Sequence, residues 1–325
     1  MSQEVVRILI IRFSSIGDVV LTAPAVAALR DAVDGPCELH YLTKKAFAGV
    51  VEGFGNMIDT VHTIERSTKE VTAELEALEF DYIVDLHNNL RSHRVKKALA
   101  VFAFTVDKWN AAKWLLVRGW RKDPVPHIVA RYNETLAAFG AQMTASWPPI
   151  WVDSNSDQRN GLCIAIGATH EGKRIPMSLL SAVVTAFPHV PITLIGGSSE
   201  ISEAEMLLEA NPHIINRVGQ LSLAESAQSI RTSKASLSGD TGMMHVAAAV
   251  GTPVVAIWGC TRPSLGMSAW LPTPGSRNIE PEGRGNRPCS KLGDRCRYGG
   301  HRSGDWCANH VAHERVIDAL RPLLD

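Results

Sequence analysis

The chain has 325 residues, of which 45% are hydrophobic and 20% charged, and its formal net charge is zero. This composition excludes a disordered chain, and the length suits two domains of ordinary size. Because the charges balance, any surface that attracts an anionic partner must be local. No apolar run reaches the ~20 residues that cross a bilayer. The first apolar run is broken at Arg12, too early for a signal peptide, so we expect a cytoplasmic protein.

The first half alternates strand and helix patterns. Uninterrupted aliphatic runs are typical of parallel strands that are buried on both faces. Such a run predicts the first strand, VRILIIRF, and three further strand candidates are CELHYLT, MIDTVHTI and FDYIVDLH. A helix is predicted over 67–78, with Ser67 as its N-cap and Glu70 completing a capping box. Strands that alternate with helices indicate a parallel sheet.

A stretch rich in Pro, Ser, Asn and Asp over 145–160 interrupts this pattern and predicts a domain boundary. The alternation then restarts at LCIAIGA, and a last helix, HERVIDALRPLL, closes the chain. We therefore expect an α/β protein with two Rossmann-like, doubly wound domains over 1–152 and 153–325, facing each other across a cleft. The last helix either stays with the second domain or packs back on the first. Ligands of such sheets bind beyond the carboxyl ends of the strands.

The turn after the first strand holds Ser14, Ser15, Gly17 and Asp18. Glycine lets a ligand approach the backbone closely, and the start of a helix favours an ionised Asp18. Such a carboxylate can accept a proton from a sugar hydroxyl. The alternative is that Asp18 only caps the helix.

A second turn, in the second half, contains Asp240, Thr241 and Gly242, with His245 in the following helix. Amides at a helix N-terminus suit a diphosphate, and the threonine hydroxyl adds a donor. The alternative is a capping aspartate with a histidine that faces the core.

Two further turns lie at the same predicted sheet edge. Lys173 follows the first strand of the second half, where a lysine can neutralise a leaving diphosphate without a metal ion. Glu200 follows the next strand and either binds ribose hydroxyls or complements the helix dipole. For Lys173, the alternative is a solvated loop charge.

Residues 91–131 hold ten Lys and Arg residues against two acids, with three interleaved tryptophans. This local excess predicts a basic face that suits an anionic acceptor or the inner membrane leaflet. A solvated helical face is the alternative. Nucleic acid ranks lower, because no helix-turn-helix or RNA-binding signature is present.

The cysteines do not have the spacing of a usual zinc site. Cys289, Cys296 and Cys307 lie in one loop-rich stretch, whereas Cys260 is isolated after a predicted strand. We therefore expect no metal and a loop with buried thiols.

Several of these segments together resemble glycosyltransferase family 9, the ADP-heptose:lipopolysaccharide heptosyltransferases. The segments ILIIRFSSIGDVVLTAPAVAALR, FDYIVDLHNNLRS, GATHEGKRIP, GDTGMMHVAAAVGTPVVAIWGCTRP and RPCSKLG occur in the order that the family has. Ile175 stands where the family commonly has Trp. The resemblance implies a GT-B fold and inverting heptosyl transfer from a nucleotide sugar, ADP-heptose, with no other cofactor.

The resemblance also implies a role for individual residues. Asp18 matches the general base, and Lys173 matches the phosphate-binding lysine. The remaining donor-site matches are Glu200, Asp240, Thr241, Gly242 and His245. The acceptor-side matches are Ser14, Ser15, Gly17 and Arg91. The expected partners are a nucleotide sugar and an anionic lipopolysaccharide-core acceptor, a Kdo or a heptose, with peripheral contact at the inner leaflet.

Two other functions stay open. One is a nucleotide-sugar 2-epimerase of the same architecture, which needs no acceptor and leaves the basic segment unexplained. The other is a nucleotide-sugar-binding protein without catalysis, which leaves Asp18 only a capping role. A dehydrogenase is disfavoured, because neither half has the glycine fingerprint of a dinucleotide site.

Overall fold

The computed structural model describes residues 5–151 and 158–325. The strands within these residues are β1 (Val6–Ile11), β2 (Cys37–Lys44), β3 (Thr60–Ile64), β4 (Tyr82–Asp85), β5 (Phe102–Thr105), β6 (Leu162–Ala165), β7 (Ile192–Ile195), β8 (Ile215–Asn216), β9 (Ala235–Gly239), β10 (Val254–Ile257) and β11 (Arg277–Ile279). The helices are α1 (Ile16–Val20), α2 (Ala23–Ala32), α3 (Ala48–Glu52), α4 (Thr72–Ala77), α5 (Leu90–Leu99), α6 (Asn110–Arg118), α7 (Ile128–Thr135), α8 (Met177–Ala186), α9 (Ile201–Ala210), α10 (Leu223–Arg231), α11 (Gly242–Ala249), α12 (Gly300–Ser303) and α13 (His313–Leu324).

The first sheet has the order β3-β2-β1-β4-β5, and its neighbouring strands are parallel. Strand β1 lies in the middle, where Ile8, Leu9 and Ile11 are fully buried. This burial is the reason for the uninterrupted aliphatic run, since both faces of a central parallel strand are covered.

The second sheet has the order β11-β10-β9-β6-β7-β8 and is also parallel throughout. Its core joins residues of β6, β7 and β9 to α8 and to the last helix, α13. Val316, Leu320 and Leu324 of α13 belong to this core. The structure therefore packs the last helix with the second sheet, where the sequence left open a return to the first domain.

The described residues divide into two compact units. Residues 5–108 and 127–151 form the first unit, and residues 109–126 and 158–325 form the second. The boundary expected at 152/153 lies outside the described residues. Residues 109–126 join the second unit because Val125 N donates to Ser264 O at 3.0 Å, and Leu116 packs with Leu265. The expectation over 1–152 placed this segment in the first domain.

The predicted α/β alternation is confirmed, with shorter elements at some ends. The helix expected over 67–78 begins as a 3₁₀ turn (Thr68–Glu70) and continues as α4. Its capping box is present, with Ser67 N donating to Glu70 Oε1 at 2.7 Å. No helix within 5–151 and 158–325 is long and apolar enough to span a bilayer.

Candidate functional site

Each sheet has one point at which the chain reverses its winding direction. In the first sheet the chain leaves β1 towards β2 and β3, and later returns to the other side of β1 as β4 and β5. In the second sheet the same reversal separates β6 from β9. The loops that follow the two strands diverge at such a point and leave a crevice for ligands. The sequence-predicted site residues follow these strands, except Glu200, which follows β7.

In the first unit, the turn after β1 holds Asp18 by both of its carboxylate oxygens. Arg12 Nη2 lies 2.6 Å from Oδ1. Ser15 donates to Oδ2 from its backbone N at 3.1 Å and from its Oγ at 2.9 Å. The Asp18 side chain remains 22% exposed. The carboxylate is thus fixed in orientation and still accessible from solvent.

Arg12 is the residue of this turn that sequence reasoning missed. It is 6% exposed, and besides Asp18 it donates to Ser14 O at 3.0 Å and to Leu86 O at 2.6 Å. It therefore ties the end of β1 to the end of β4. A charged residue that ends a buried aliphatic strand is the signal that could have revealed it, because a buried guanidinium requires several acceptors.

The surroundings of Arg12 and Asp18 are rich in nitrogen-containing side chains. Burial and then the charge of Arg12 lower the pKa of His87 to about 3. Burial and then Arg12 also lower the pKa of Lys108. Arg131 is buried and donates to Lys108 O at 2.8 Å. Such a setting favours a bound anion, because a negative charge here would meet several nitrogen donors.

Arg91 lies at the other predicted acceptor-side position. Helix α5 begins after Asn89, whose side-chain oxygen accepts hydrogen bonds from the N–H groups of Arg91 and Ser92. The Arg91 guanidinium lies 5.7 Å from the centre of the Phe13 ring. The structure thus brings Arg91 to the residue that precedes Ser14.

In the second unit, two predicted loops meet at one ion pair, and a third loop, whose Thr261 sequence reasoning missed, joins them. Lys173 Nζ lies 2.8 Å from Asp240 Oδ2, and Thr261 Oγ1 donates to the same oxygen at 2.7 Å. The three residues follow β6, β9 and β10, which are neighbours in the sheet. Asp240 is buried, whereas 22% of the Lys173 side chain is exposed. The pair therefore presents a cation that a buried carboxylate orients.

Gly239 allows the end of β9 to lie close to the backbone of the Lys173 loop. A Cβ atom at this position would lie 2.5 Å from Lys173 O, closer than any ordinary contact. Glycine is required here because the end of β9 and the Lys173 loop are in backbone contact.

The other predicted donor-site residues of this segment lie at the start of α11. Thr241 precedes α11, and its Oγ1 lies 3.0 Å from Ser238 Oγ. Gly242 is the first residue of α11, which leaves its amide at the helix N-terminus. His245 is only 3% exposed. Its position fits the core-facing alternative that the sequence left open.

Glu200 is buried within its own glycine turn. Its oxygens accept from Gly197 N at 2.9 Å and from Ser199 Oγ at 2.6 Å. Arg174 Nη2 lies 3.7 Å from Glu200 Oε1. Glu200 therefore links its turn to the loop that carries Lys173.

The basic segment over 91–131 is not one face of the first domain. Lys96 is paired with the buried Asp85 at 2.9 Å, and Arg131 is buried. Four of the ten cations belong to the second unit: Lys113, Arg118, Arg121 and Lys122. Sequence density alone overstated this surface, because it cannot show which cations are already paired or where the chain changes unit.

The cysteines form a group that the sequence did not predict. Cys260 joins Cys289, Cys296 and Cys307, and the four Sγ atoms lie within 4.8 Å of one another. The interpretation that treated Cys260 as isolated is wrong, because the segment that follows β11 returns to the end of β10.

Several solved structures that share this fold are named as glycosyltransferases. A glycosyl transferase family 9 protein from Veillonella parvula matches with a TM-score of 0.77 and 19% identity, over 100% of this chain and 98% of that one. The E. coli ADP-heptose LPS heptosyltransferase II matches with a TM-score of 0.72 and 18% identity, over 98% of both chains. E. coli heptosyltransferase WaaC with ADP matches with a TM-score of 0.65 and 20% identity, over 82% of this chain and 92% of that one. The fold is therefore the GT-B fold.

The sequence identifies the family. The profile of glycosyltransferase family 9 (heptosyltransferase) matches residues 69–272. The chain belongs to this family and is a glycosyltransferase. No protein among the curated sequences matches it.

Proposed function

We propose that the chain is an inverting transferase that moves a heptose from ADP-heptose onto a Kdo or heptose of the lipopolysaccharide inner core. The observation that carries the proposal is the chemistry at the two switch points. A fixed carboxylate follows β1, and a cation held by a buried carboxylate follows β6. Structures of E. coli WaaC with ADP and with ADP-2-deoxy-2-fluoro heptose share the fold, which supports the choice of donor.

Asp18 acts as the general base in this proposal. Its carboxylate accepts the proton of the acceptor hydroxyl while the oxygen attacks the anomeric carbon of the donor. ADP departs from the opposite face of the sugar, so the configuration inverts. Arg12 and Ser15 hold the carboxylate and are positioning residues. Ser14, Gly17 and Arg91 shape the acceptor side of the turn.

Lys173 stabilises the negative charge that develops on the departing diphosphate. The Gly242 amide and the Thr241 hydroxyl add donors at the N-terminus of α11, whereas the Thr241 amide already donates to Gly239 O at 2.8 Å. Asp240 and Thr261 orient Lys173, and Glu200 is assigned to the ribose hydroxyls. No cofactor other than the nucleotide sugar enters the proposed step. His245 supports α11 from the buried side.

The acceptor is a lipid-linked sugar in this proposal, so we also propose peripheral contact with the inner leaflet. Trp114 and Trp120 are 42% and 72% exposed, with ring centres 5.2 Å apart. The Arg118 guanidinium lies 5.3 Å from the Trp114 ring. Exposed tryptophans beside cations suit the headgroup region of an anionic membrane.

The experiment that tests the proposal measures release of ADP from ADP-heptose, with and without a heptose-deficient lipopolysaccharide acceptor. We expect release that depends on the acceptor. Donor binding without release under either condition would contradict the transferase assignment and favour a binding protein. A change at C2 of the donor sugar without any acceptor would favour the epimerase.

A further inference from the structure

The four-cysteine cluster lies outside the proposed reaction and has a geometry of its own. Cys289 Sγ lies 3.6 Å from Cys307 Sγ, and Cys296 Sγ lies 3.7 Å from it. Cys260 completes the group, in which all Sγ atoms lie within 4.8 Å. The six cysteines of the chain are free thiols.

These separations are those of thiolates around one ion. Four sulfurs that each lie about 2.3 Å from a tetrahedral metal ion are about 3.8 Å apart. A disulfide would need a distance of about 2.05 Å, far shorter than the separations seen here. Tetrahedral coordination by four sulfurs is typical of zinc and of iron.

We propose that Cys260, Cys289, Cys296 and Cys307 bind one thiophilic transition-metal ion, Zn²⁺ or Fe²⁺. Four thiolates and a divalent ion carry a net charge of −2, which must be offset when the site is largely buried. The N–H of Arg297 donates to Cys289, and the charge of Arg284 lies near Cys296 and Cys307. The surroundings therefore supply the compensation that such a site requires.

The cluster is continuous with the loop that carries Lys173. Cys260 N donates to Gly172 O at 2.7 Å, and Gly172 N donates to Gly293 O at 3.1 Å. Gly293 lies between Cys289 and Cys296 in sequence, and it packs so tightly on the Lys173 side chain that a Cβ atom would lie 2.7 Å from Lys173 Cγ. The metal ion would thus hold the Lys173 loop in position. We expect this to strengthen donor binding, a consequence that rests on the proposed function.

Metal content tests the site directly. Elemental analysis of the purified, untagged protein from medium that contains zinc and iron should give about one ion per chain. The same elemental analysis identifies which of the two metals is bound. The double variant C296S/C307S should lose the ion. The matched control is C163S, which changes a fully buried cysteine in β6 outside the cluster.

A wild-type protein with only traces of any metal would overturn the site, as would a folded double variant that keeps the full stoichiometry. If the double variant does not fold, titration of the wild-type protein with a mercurial decides. Release of one ion as four thiols react supports the site, and release that does not track thiol modification overturns it.

Binding of ADP tests whether the metal ion holds the Lys173 loop in position. We expect the metal-free double variant to bind ADP at least about tenfold more weakly than C163S, measured by calorimetry. If the folded, metal-free double variant and C163S bind ADP with equal affinity, the effect of the metal ion on the Lys173 loop is excluded, whereas the metal site itself is not contradicted. Failure of the metal-loaded wild-type protein to bind ADP would instead contradict the proposed function.

Discussion

Asp18 is held by two groups that act on it differently. Arg12 supplies a positive charge to one oxygen from a buried position, and Ser15 fixes the other oxygen through two hydrogen bonds. A base that is oriented in advance loses little entropy when the acceptor arrives. Replacement of Asp18 should therefore affect the chemical step and not the fold.

Asp18→Asn should lower turnover by about 10²- to 10⁴-fold, because the amide cannot accept the proton. Donor affinity should stay unchanged. The measurement is kcat for acceptor-dependent ADP release together with the Kd of ADP. Asp31→Asn, an exposed change in α2, is the matched control. Turnover of the Asp18 variant near that of the control would exclude Asp18 as the base.

Lys173→Ala should weaken ADP binding and turnover together, because the alanine variant lacks the cation that faces the diphosphate. We expect about a tenfold or greater rise in the Kd of ADP, as for loss of a charge-assisted contact. Calorimetry with ADP and with adenosine separates the effects. Adenosine should bind to wild type and variant alike. An ADP affinity equal to that of the wild type would contradict the phosphate role.

His87 gives the first unit a dependence on pH. Its pKa is about 3 in the folded chain because of burial and then Arg12, against about 6.5 in an unfolded chain. A folded-state pKa that is lowered means that the stabilisation is complete above pH ~6.5 and is lost as the pH falls towards 3. The slope from this residue is at most about 1.4 kcal/mol per pH unit.

His87→Gln should therefore flatten the fall in stability between pH 7 and pH 5. Urea midpoints measured at several pH values check this expectation. A residual slope is expected from His40, whose pKa is lowered by burial and then by His62. An unchanged slope in the variant would show that His87 does not titrate in this way.

The element that matters most for the donor is the contact between the end of β9 and the Lys173 loop. Gly239→Ala should push the loop away, since its Cβ atom would meet Lys173 O at 2.5 Å. We expect weaker ADP binding with little change in the first unit. Gly49→Ala is the control, because its Cβ atom would have no contact closer than 3.9 Å. If both variants bind ADP equally well, the loop tolerates the shift and the tight approach is not needed.

The central strands and the candidate turns were predictable from sequence, for a physical reason. β1 and β6 lie inside their sheets and are largely apolar, and site residues follow such strands directly. β9 is equally buried but contains two serines, and it was recognised by the small polar turn that follows it. The short strands β5, β8 and β11 were not predicted. They hold two to four residues and contain exposed positions, so the spacing of hydrophobic residues does not reveal them.

Side-chain partnerships were less predictable than the turns. The pairing of Lys173 with Asp240 joins residues 67 positions apart, through the adjacency of β6 and β9. The approach of Cys260 to Cys289 depends on the path of a long loop, which has no periodic pattern. Contacts of this kind follow from tertiary structure, which a local sequence pattern does not contain.

At the scale of the whole molecule, each unit has its own sheet and its own buried core. Binding of ADP should therefore slow amide exchange mainly over 165–176 and 239–245, in the unit that carries Lys173. Hydrogen exchange with mass spectrometry checks this expectation. Protection of residues 14–18 without protection of 165–176 would reverse the assignment of donor and acceptor sides.

The division of the chain has a consequence for recombination. The polypeptide changes unit after residue 108, again after residue 126, and a third time between residues 151 and 158. A chimaera made with a single crossover near residue 155 would take residues 109–126 from one parent and the 263–266 turn, which they contact, from the other. Chimaeras between family members that aim to exchange donor preference should therefore transfer residues 109–126 with the second unit, as two inserted pieces.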